Sequence, residues 1–175
     1  AYTLGLPVKI NCVPLNNMQL ADLLAMVELV KERNIPLRFI ELMPLSCNSE
    51  LQGLSGETIR KMFGEAGIKL LEEKALLGNG PAVYYRAEGY AGAIGFIEPL
   101  HNKFCASCNR IRLTATGLLK PCLYANETFD LKALLRSDAS DEEILEALRH
   151  AIYAKPQGHA FEISPANFPM NAIGG

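Results

Sequence analysis

Val8-Lys-Ile-Asn-Cys-Val13 and Leu37-Arg-Phe-Ile-Glu-Leu-Met43 are two short apolar runs, and between them Leu20, Leu23, Leu24, Val27 and Val30 recur at the spacing of one helix face. Hydrophobic runs of this length suit the buried strands of a parallel sheet, and strand, helix, strand predicts a right-handed βαβ unit. The fold class is therefore α/β. Asn16 or Asn17 is the expected cap of the helix, and Asn34-Ile-Pro36 its stop, because proline cannot continue a helix. Side chains alternate along a strand, so Lys9 and Asn11 share a face, and two polar groups on a buried strand require partners.

Downstream, the stretch from Ser46 to Gly56 is rich in Ser, Asn and Gly and reads as a loop. Ser55 is placed to cap a short helix that Gly67 ends. Ile68-Lys-Leu-Leu71, Ala82-Val-Tyr-Tyr-Arg86 and Gly92-Ala-Ile-Gly-Phe-Ile97 are three short strands joined by Gly, Pro and Asn turns, which favours an antiparallel sheet and a boundary with the βαβ region. Arg110–Ala115 and Leu118–Tyr124 flank Thr116-Gly117, a hairpin turn. Asp130–Leu135 and the run from Ser140 to Ile152 are helical, and Ser140 with Glu143 forms a capping box. Beyond Pro156 the chain holds further prolines and closes on Gly174-Gly175, the pattern of an extended tail.

The chain has 175 residues, 49% hydrophobic and 21% charged, the composition of an ordinary globular protein. No apolar run is long enough to span a membrane, and no secretory signal pattern opens the chain, so a cytoplasmic origin and no membrane partner are expected. A formal charge of −2 argues against a general nucleic-acid surface. Without an initiator methionine, and with Ala1–Pro7 reading as the end of a helix that enters a strand, the sequence looks like a piece of a longer chain.

Chemistry concentrates in Phe104-Cys-Ala-Ser-Cys-Asn-Arg-Ile-Arg-Leu-Thr114 and the returning Gly117-Leu-Leu-Lys-Pro-Cys122. Five cysteines are an odd number, and a chain of this length needs no disulfide staples, so reduced thiols or metal ligands are expected. Cys105 and Cys108 have metal-ligand spacing, and the hairpin carries Cys122 back beside Cys108. Three thiols leave the fourth ligand open. A structural zinc would take His101 with Cys105, Cys108 and Cys122, whereas an iron–sulfur cluster held by three thiolates keeps one iron open to an outside ligand. Cys12 and Cys47 lack partners at ligand spacing and read as ordinary buried or loop thiols. Arg110 and Arg112 lie two apart on a strand, so their guanidiniums share a face and can clamp phosphate or carboxylate; a solvated face with salt bridges is the plainer reading. Lys103 adds a cation nearby.

Phe104-Cys-x-x-Cys-Asn-Arg-x-Arg-Leu-Thr114, the thirteen residues between Cys108 and Cys122, Cys122-Leu-Tyr124 and the terminal Gly-Gly together resemble the GTP 3′,8-cyclase family of radical S-adenosylmethionine enzymes, molybdenum cofactor biosynthesis protein A. Val8–Asn11 and Arg38–Pro44 resemble that family's later barrel strands, and the resemblance runs from Leu6 to Gly175. It implies the last βαβ units of a partial TIM-like barrel over residues 1–90. A small α+β iron–sulfur domain with antiparallel strands would follow over residues 91–175.

It also implies roles. Cys105, Cys108 and Cys122 would hold a [4Fe–4S] cluster whose open iron meets GTP. Lys9, Arg38, Arg110, Ile111 and Arg112 would contact GTP, Met43 would lie beside S-adenosylmethionine, and Gly174 and Gly175 would reach the active site for turnover. The family's radical cluster needs C-x3-C-x2-C, which no spacing among the five cysteines provides. The resemblance therefore implies the C-terminal part of the enzyme, inactive alone, whose missing N-terminal half carries the second [4Fe–4S] cluster and cleaves S-adenosylmethionine. A homodimer stays open, and a zinc-binding structural module and a nucleic-acid or protein adaptor are the rival classes.

Overall fold

A computed structural model describes residues 1–45, 50–73 and 79–160. The expectations for Cys47, Gly174 and Gly175 lie outside the described residues. The described residues form two compact units, one of residues 1–42, 51–73 and 79–103, the other of residues 43–45, 50 and 104–160.

The first unit is built on a mixed five-stranded sheet of β1 (Ile10–Cys12), β2 (Leu37–Ile40), β3 (Leu70–Glu73), β4 (Val83–Ala87) and β5 (Ile94–Ile97), in the order β1-β2-β5-β4-β3. β1 and β2 run parallel, as the strand–helix–strand pattern predicts. The three later strands do not make a sheet of their own. β3 and β4 pair antiparallel, as do β4 and β5, but β5 also lies parallel to β2 and so joins both halves. Composition could not reveal this, because a four-residue apolar run pairs equally well in either sense. β5 is buried along its whole length, as a central strand must be. The expected division after residue 90 falls between β4 and β5, which are neighbours in this sheet.

α1 (Leu20–Glu28) starts at Gln19 and not at Asn16 or Asn17: the Gln19 N–H donates to Asp22 Oδ2 at 2.8 Å. A carboxylate three residues into the helix supplied the acceptor, so the upstream asparagines were not needed. The helix also ends at Glu28, short of the Asn34-Ile-Pro36 stop. α2 (Gly56–Glu65) begins where Ser55 Oγ accepts from the Thr58 N–H at 3.1 Å, and Gly67 follows it at φ 81°, both as expected.

One face of the sheet carries the core. Leu37 and Phe39 stand beside Ile94 and Phe96 in register, and Leu23, Val27 and Val30 of α1 join Ile59 and Phe63 of α2 in the same cluster. The Phe39 ring lies 5.8 Å from both Phe63 and Phe96, the separation of favourable aromatic pairs. The period of two therefore sends Asn11, Arg38, Gly95 and Tyr84, which are neighbours in register, to the opposite face.

The second unit holds a three-stranded antiparallel sheet, β6 (Arg112–Leu113), β7 (Leu118–Lys120) and β8 (Phe129–Asp130), with α3 (Leu131–Arg136) and α4 (Asp141–Tyr153). The Thr116-Gly117 hairpin forms as predicted: the Thr114 N–H donates to Leu118 O at 2.9 Å, and Gly117 takes φ 87°. Asp130 caps α3 by accepting from the Ala133 N–H, and Ser140 and Glu143 close the expected box on α4. Among the described residues no helix is long and apolar enough to cross a membrane.

Candidate functional site

In the second unit the cysteine-bearing segment is built backwards from the hairpin. Cys105–Ser107 form a single 3-10 turn, closed by the Cys108 N–H donating to Cys105 O at 3.1 Å, and Cys108 then turns extended. This reversal puts the two nearest thiols at the two ends of one turn, while the β6–β7 pairing returns the chain towards Cys122. Cys105, Cys108 and Cys122 are all free and half-buried.

Their surroundings are strongly cationic. Arg112 stands directly across the ladder from Lys120, two positive side chains in one cross-strand pair. Like charges so placed oppose each other unless negative charge is near. Burial pushes the half-buried Arg112 guanidinium down and Arg110 pushes it further, while Cys108 and Cys122 both act to raise it. Lys120 is fully buried, with its Nζ donating to Ala125 O. Burial lowers its proton affinity, Cys122 works against that, and Arg112 adds to it. Burial alone would push the Cys108 thiol up, but the Arg110 backbone N–H and the Lys155 ammonium, with the charges of Lys155 and Arg110, bring it below the ordinary thiol value. Arg110 is exposed and so is Ile111. Of the two arginines expected to share a strand face, only Arg112 lies in the strand.

Among the described residues no three His, Cys, Asp or Glu side chains gather into a set able to hold a metal ion. His101, the fourth ligand of the zinc reading, lies in the first unit with its Nδ1 bonded to Glu41. The donor chemistry of the second unit, three free thiols with one acidified among cations, fits a thiolate-bound group carrying negative charge.

The first unit carries the other predicted residues except Met43, which is half-buried and belongs to the second. Lys9 is exposed, so the face it was expected to share with Asn11 is not buried along β1. Asn11 still meets its partner requirement, since its Oδ1 accepts from Arg38 Nε at 2.8 Å. Next in that row, a Cβ on Gly95 would lie 2.8 Å from the Tyr84 ring and 3.3 Å from Arg38 Cγ, so glycine lets both side chains lie flat over the strand. Cys12, on the core side, has its thiol pushed up by burial and behaves as a packing residue.

Sequence reasoning missed three residues that shape these sites. Glu41, buried at the end of β2, accepts from the Leu100 N–H at 2.7 Å and the His101 N–H at 3.3 Å as well as bonding the imidazole. Lys120 and Lys155 act on the cysteine segments from within β7 and from beyond α4. A polar residue ending an apolar strand was the available signal for Glu41; the two lysines had none, because each is placed by a hydrogen bond to a backbone carbonyl, which every residue possesses.

A mixed α/β unit and a small antiparallel unit that carries free thiols with arginines and a buried lysine define an α/β protein with a cysteine segment among cations. The chain belongs to the Molybdenum Cofactor Synthesis C family, whose model matches residues 35–161. It is 38% identical to the GTP 3′,8-cyclase of Clostridium perfringens over 156 residues, 89% of this chain and 48% of that protein. It is 42% identical to that of Syntrophomonas wolfei, over 87% of this chain and 48% of that protein. The enzyme of Nitrobacter winogradskyi is 35% identical over the full chain and 53% of its own length. The chain thus spans about half the length of the curated relatives it matches.

Proposed function

We propose that this chain is the C-terminal part of a GTP 3′,8-cyclase acting in molybdenum cofactor synthesis, and that its second unit is the substrate-side cluster domain. Cys105, Cys108 and Cys122 are its cluster ligands. When bound, a [4Fe–4S] group with three thiolate ligands supplies an open, Lewis-acidic iron for the purine. Arg110 and Arg112 neutralise and orient the triphosphate, since planar guanidiniums bond phosphate oxygens in pairs. Ile111 packs along the nucleotide. In the first unit Lys9 and Arg38 contact GTP from the last strands of a partial TIM-like barrel, and Met43 lies beside S-adenosylmethionine. Gly174 and Gly175 serve turnover. Hydrogen abstraction from the ribose C3′ and closure of that carbon onto C8 of guanine need the radical cluster of the remaining half, so this chain alone binds substrate without converting it.

The observation that carries this reading is the cross-strand pair of Arg112 and Lys120 with Cys108 and Cys122 around it. Two cations facing each other in a half-buried ladder make sense where thiolates and a polyanion gather. The test is anaerobic reconstitution with iron and sulfide, followed by iron and sulfide analysis and visible absorption. Cys105→Ser, Cys108→Ser and Cys122→Ser should each lose iron. Arg112→Ala should keep iron and bind GTP at least about tenfold more weakly, the loss expected for one charge-assisted hydrogen bond. A colourless protein with one bound zinc, or iron content unchanged in all three cysteine variants, overturns the assignment.

A further inference from the structure

We infer that Lys155 is a positioning residue: its ammonium ties the backbone of Cys108 and Arg110 into one conformation, and so aims a thiol ligand and a phosphate-binding guanidinium together. The inference deepens the proposed function and rests on its reading of Cys108 and Arg110.

Lys155 lies just beyond α4, is half-buried, and donates from Nζ to Cys108 O at 2.6 Å and to Arg110 O at 3.0 Å. Those carbonyls are two residues apart. Cys108 is extended, at φ −77° and ψ 112°, and in extended backbone the carbonyls of residues i and i+2 face the same side. One ammonium with three donors can therefore serve both. The segment also needs such help. Ladder pairing of β6 begins only at Arg112, opposite Lys120, so the ladder with β7 stops short of residues 108–110. A charged donor makes each bond stronger than an amide would, and a flexible stem fixed at two carbonyls is committed to this place.

The geometry separates Lys155 from the cations already assigned. Arg110 and Arg112 are the residues proposed to bond the ligand, whereas Lys155 sets its ammonium on two main-chain carbonyls beside the Cys108 thiol. Its effect on substrate passes through the direction of Arg110, and its effect on metal retention through the direction of Cys108.

The test compares wild type with Lys155→Met in the reconstituted holoprotein by amide hydrogen exchange, by GTP titration, and by the change GTP causes in the electron paramagnetic resonance of the reduced cluster. Exchange at residues 109–112 should quicken about tenfold or more, as loss of a charge-assisted bond implies, while α4 and the Thr114–Leu118 hairpin stay protected. GTP should bind about tenfold more weakly, and its spectral change should shrink or vanish. Lys155→Arg, which keeps charged donors, should hold each readout within about threefold of wild type.

Wild-type exchange and GTP affinity in Lys155→Met overturn the inference. So does exchange raised equally across α4 and the hairpin, which would make the lysine a general support. Equal losses in the Arg and Met variants also overturn it. If instead Cys108→Ser keeps its iron, the ligand reading fails, and the exchange at residues 109–112 still decides whether Lys155 orders the segment.

Discussion

Gly117→Ala should destabilise the second unit through two separable effects. Gly117 sits at φ 87°, a conformation that costs a residue with Cβ roughly 1–2 kcal/mol. The added methyl would also lie 2.4 Å from Lys132 Cβ and 3.3 Å from its Cγ and Cδ. A Cβ cannot swing away as the end of a lysine can, and the Lys132 N–H donates to Gly117 O at 3.1 Å, so α3 must move or the hairpin must open. Overpacking of this kind costs about 1–3 kcal/mol, for a total of roughly 2–5 kcal/mol. Urea unfolding of the single variant measures the total, and a double-mutant cycle with Lys132→Gly isolates the clash. The coupling should be about 1–3 kcal/mol, and the strain of positive φ should survive in the double variant. A Gly117→Ala protein within about 0.5 kcal/mol of wild type would refute the hairpin geometry that returns Cys122. A full loss with no coupling would leave the turn but refute the approach of α3.

Phe63→Ala, which removes a fully buried ring packed on Phe39, should cost about 3–5 kcal/mol in urea unfolding, and a loss under 1 kcal/mol would mean the core is packed otherwise. His101 gains from its hydrogen bond and charge interaction with Glu41, so its proton affinity is raised on folding. That stabilisation is complete below the ordinary histidine pKa of about 6.5 and is lost as pH rises through the raised folded value. His101→Asn should therefore flatten the fall in unfolding free energy above pH 6.5, and an unchanged pH profile would deny the pairing. Arg110→Ala, like Arg112→Ala, should weaken GTP binding without loss of iron; loss of iron in either would make the arginine a support of the cysteine loop.

The elements themselves were legible wherever a local rule sufficed. Ser55 and Ser140 announced two helices, Thr116-Gly117 announced the hairpin, and the two apolar runs around α1 announced parallel pairing. The place of β5 was not legible, because Ile94–Ile97 is apolar on both faces and says only that it is covered on both sides. Its pairing with β2 is decided by tertiary context across more than fifty residues of chain. The cysteine motif was legible as a ligand pattern because thiol spacing is itself the chemistry. What holds that motif was hidden. Lys120 and Lys155 bond carbonyls, which every residue possesses, so no residue type in the sequence marks the acceptor.

This difference explains why the motif alone underdetermines the site. Two thiols separated by two residues can serve zinc, a cluster or nothing, and the spacing does not choose. The charges narrow the choice. A buried lysine across from a half-buried arginine is an arrangement that folding alone opposes, since each cation is taken from water and set against the other. A zinc held by three thiolates and an imidazole carries one net negative charge, as an oxidised [4Fe–4S] group on three thiolates does, so the pair favours an anionic thiolate-bound group of either kind. A group that brings net negative charge to Cys108 and Cys122, with a polyphosphate on the outward guanidiniums, converts the same pair into two favourable contacts. On the proposed reading the cations thus call for an anionic occupant, and the cysteines are the part that would bind it.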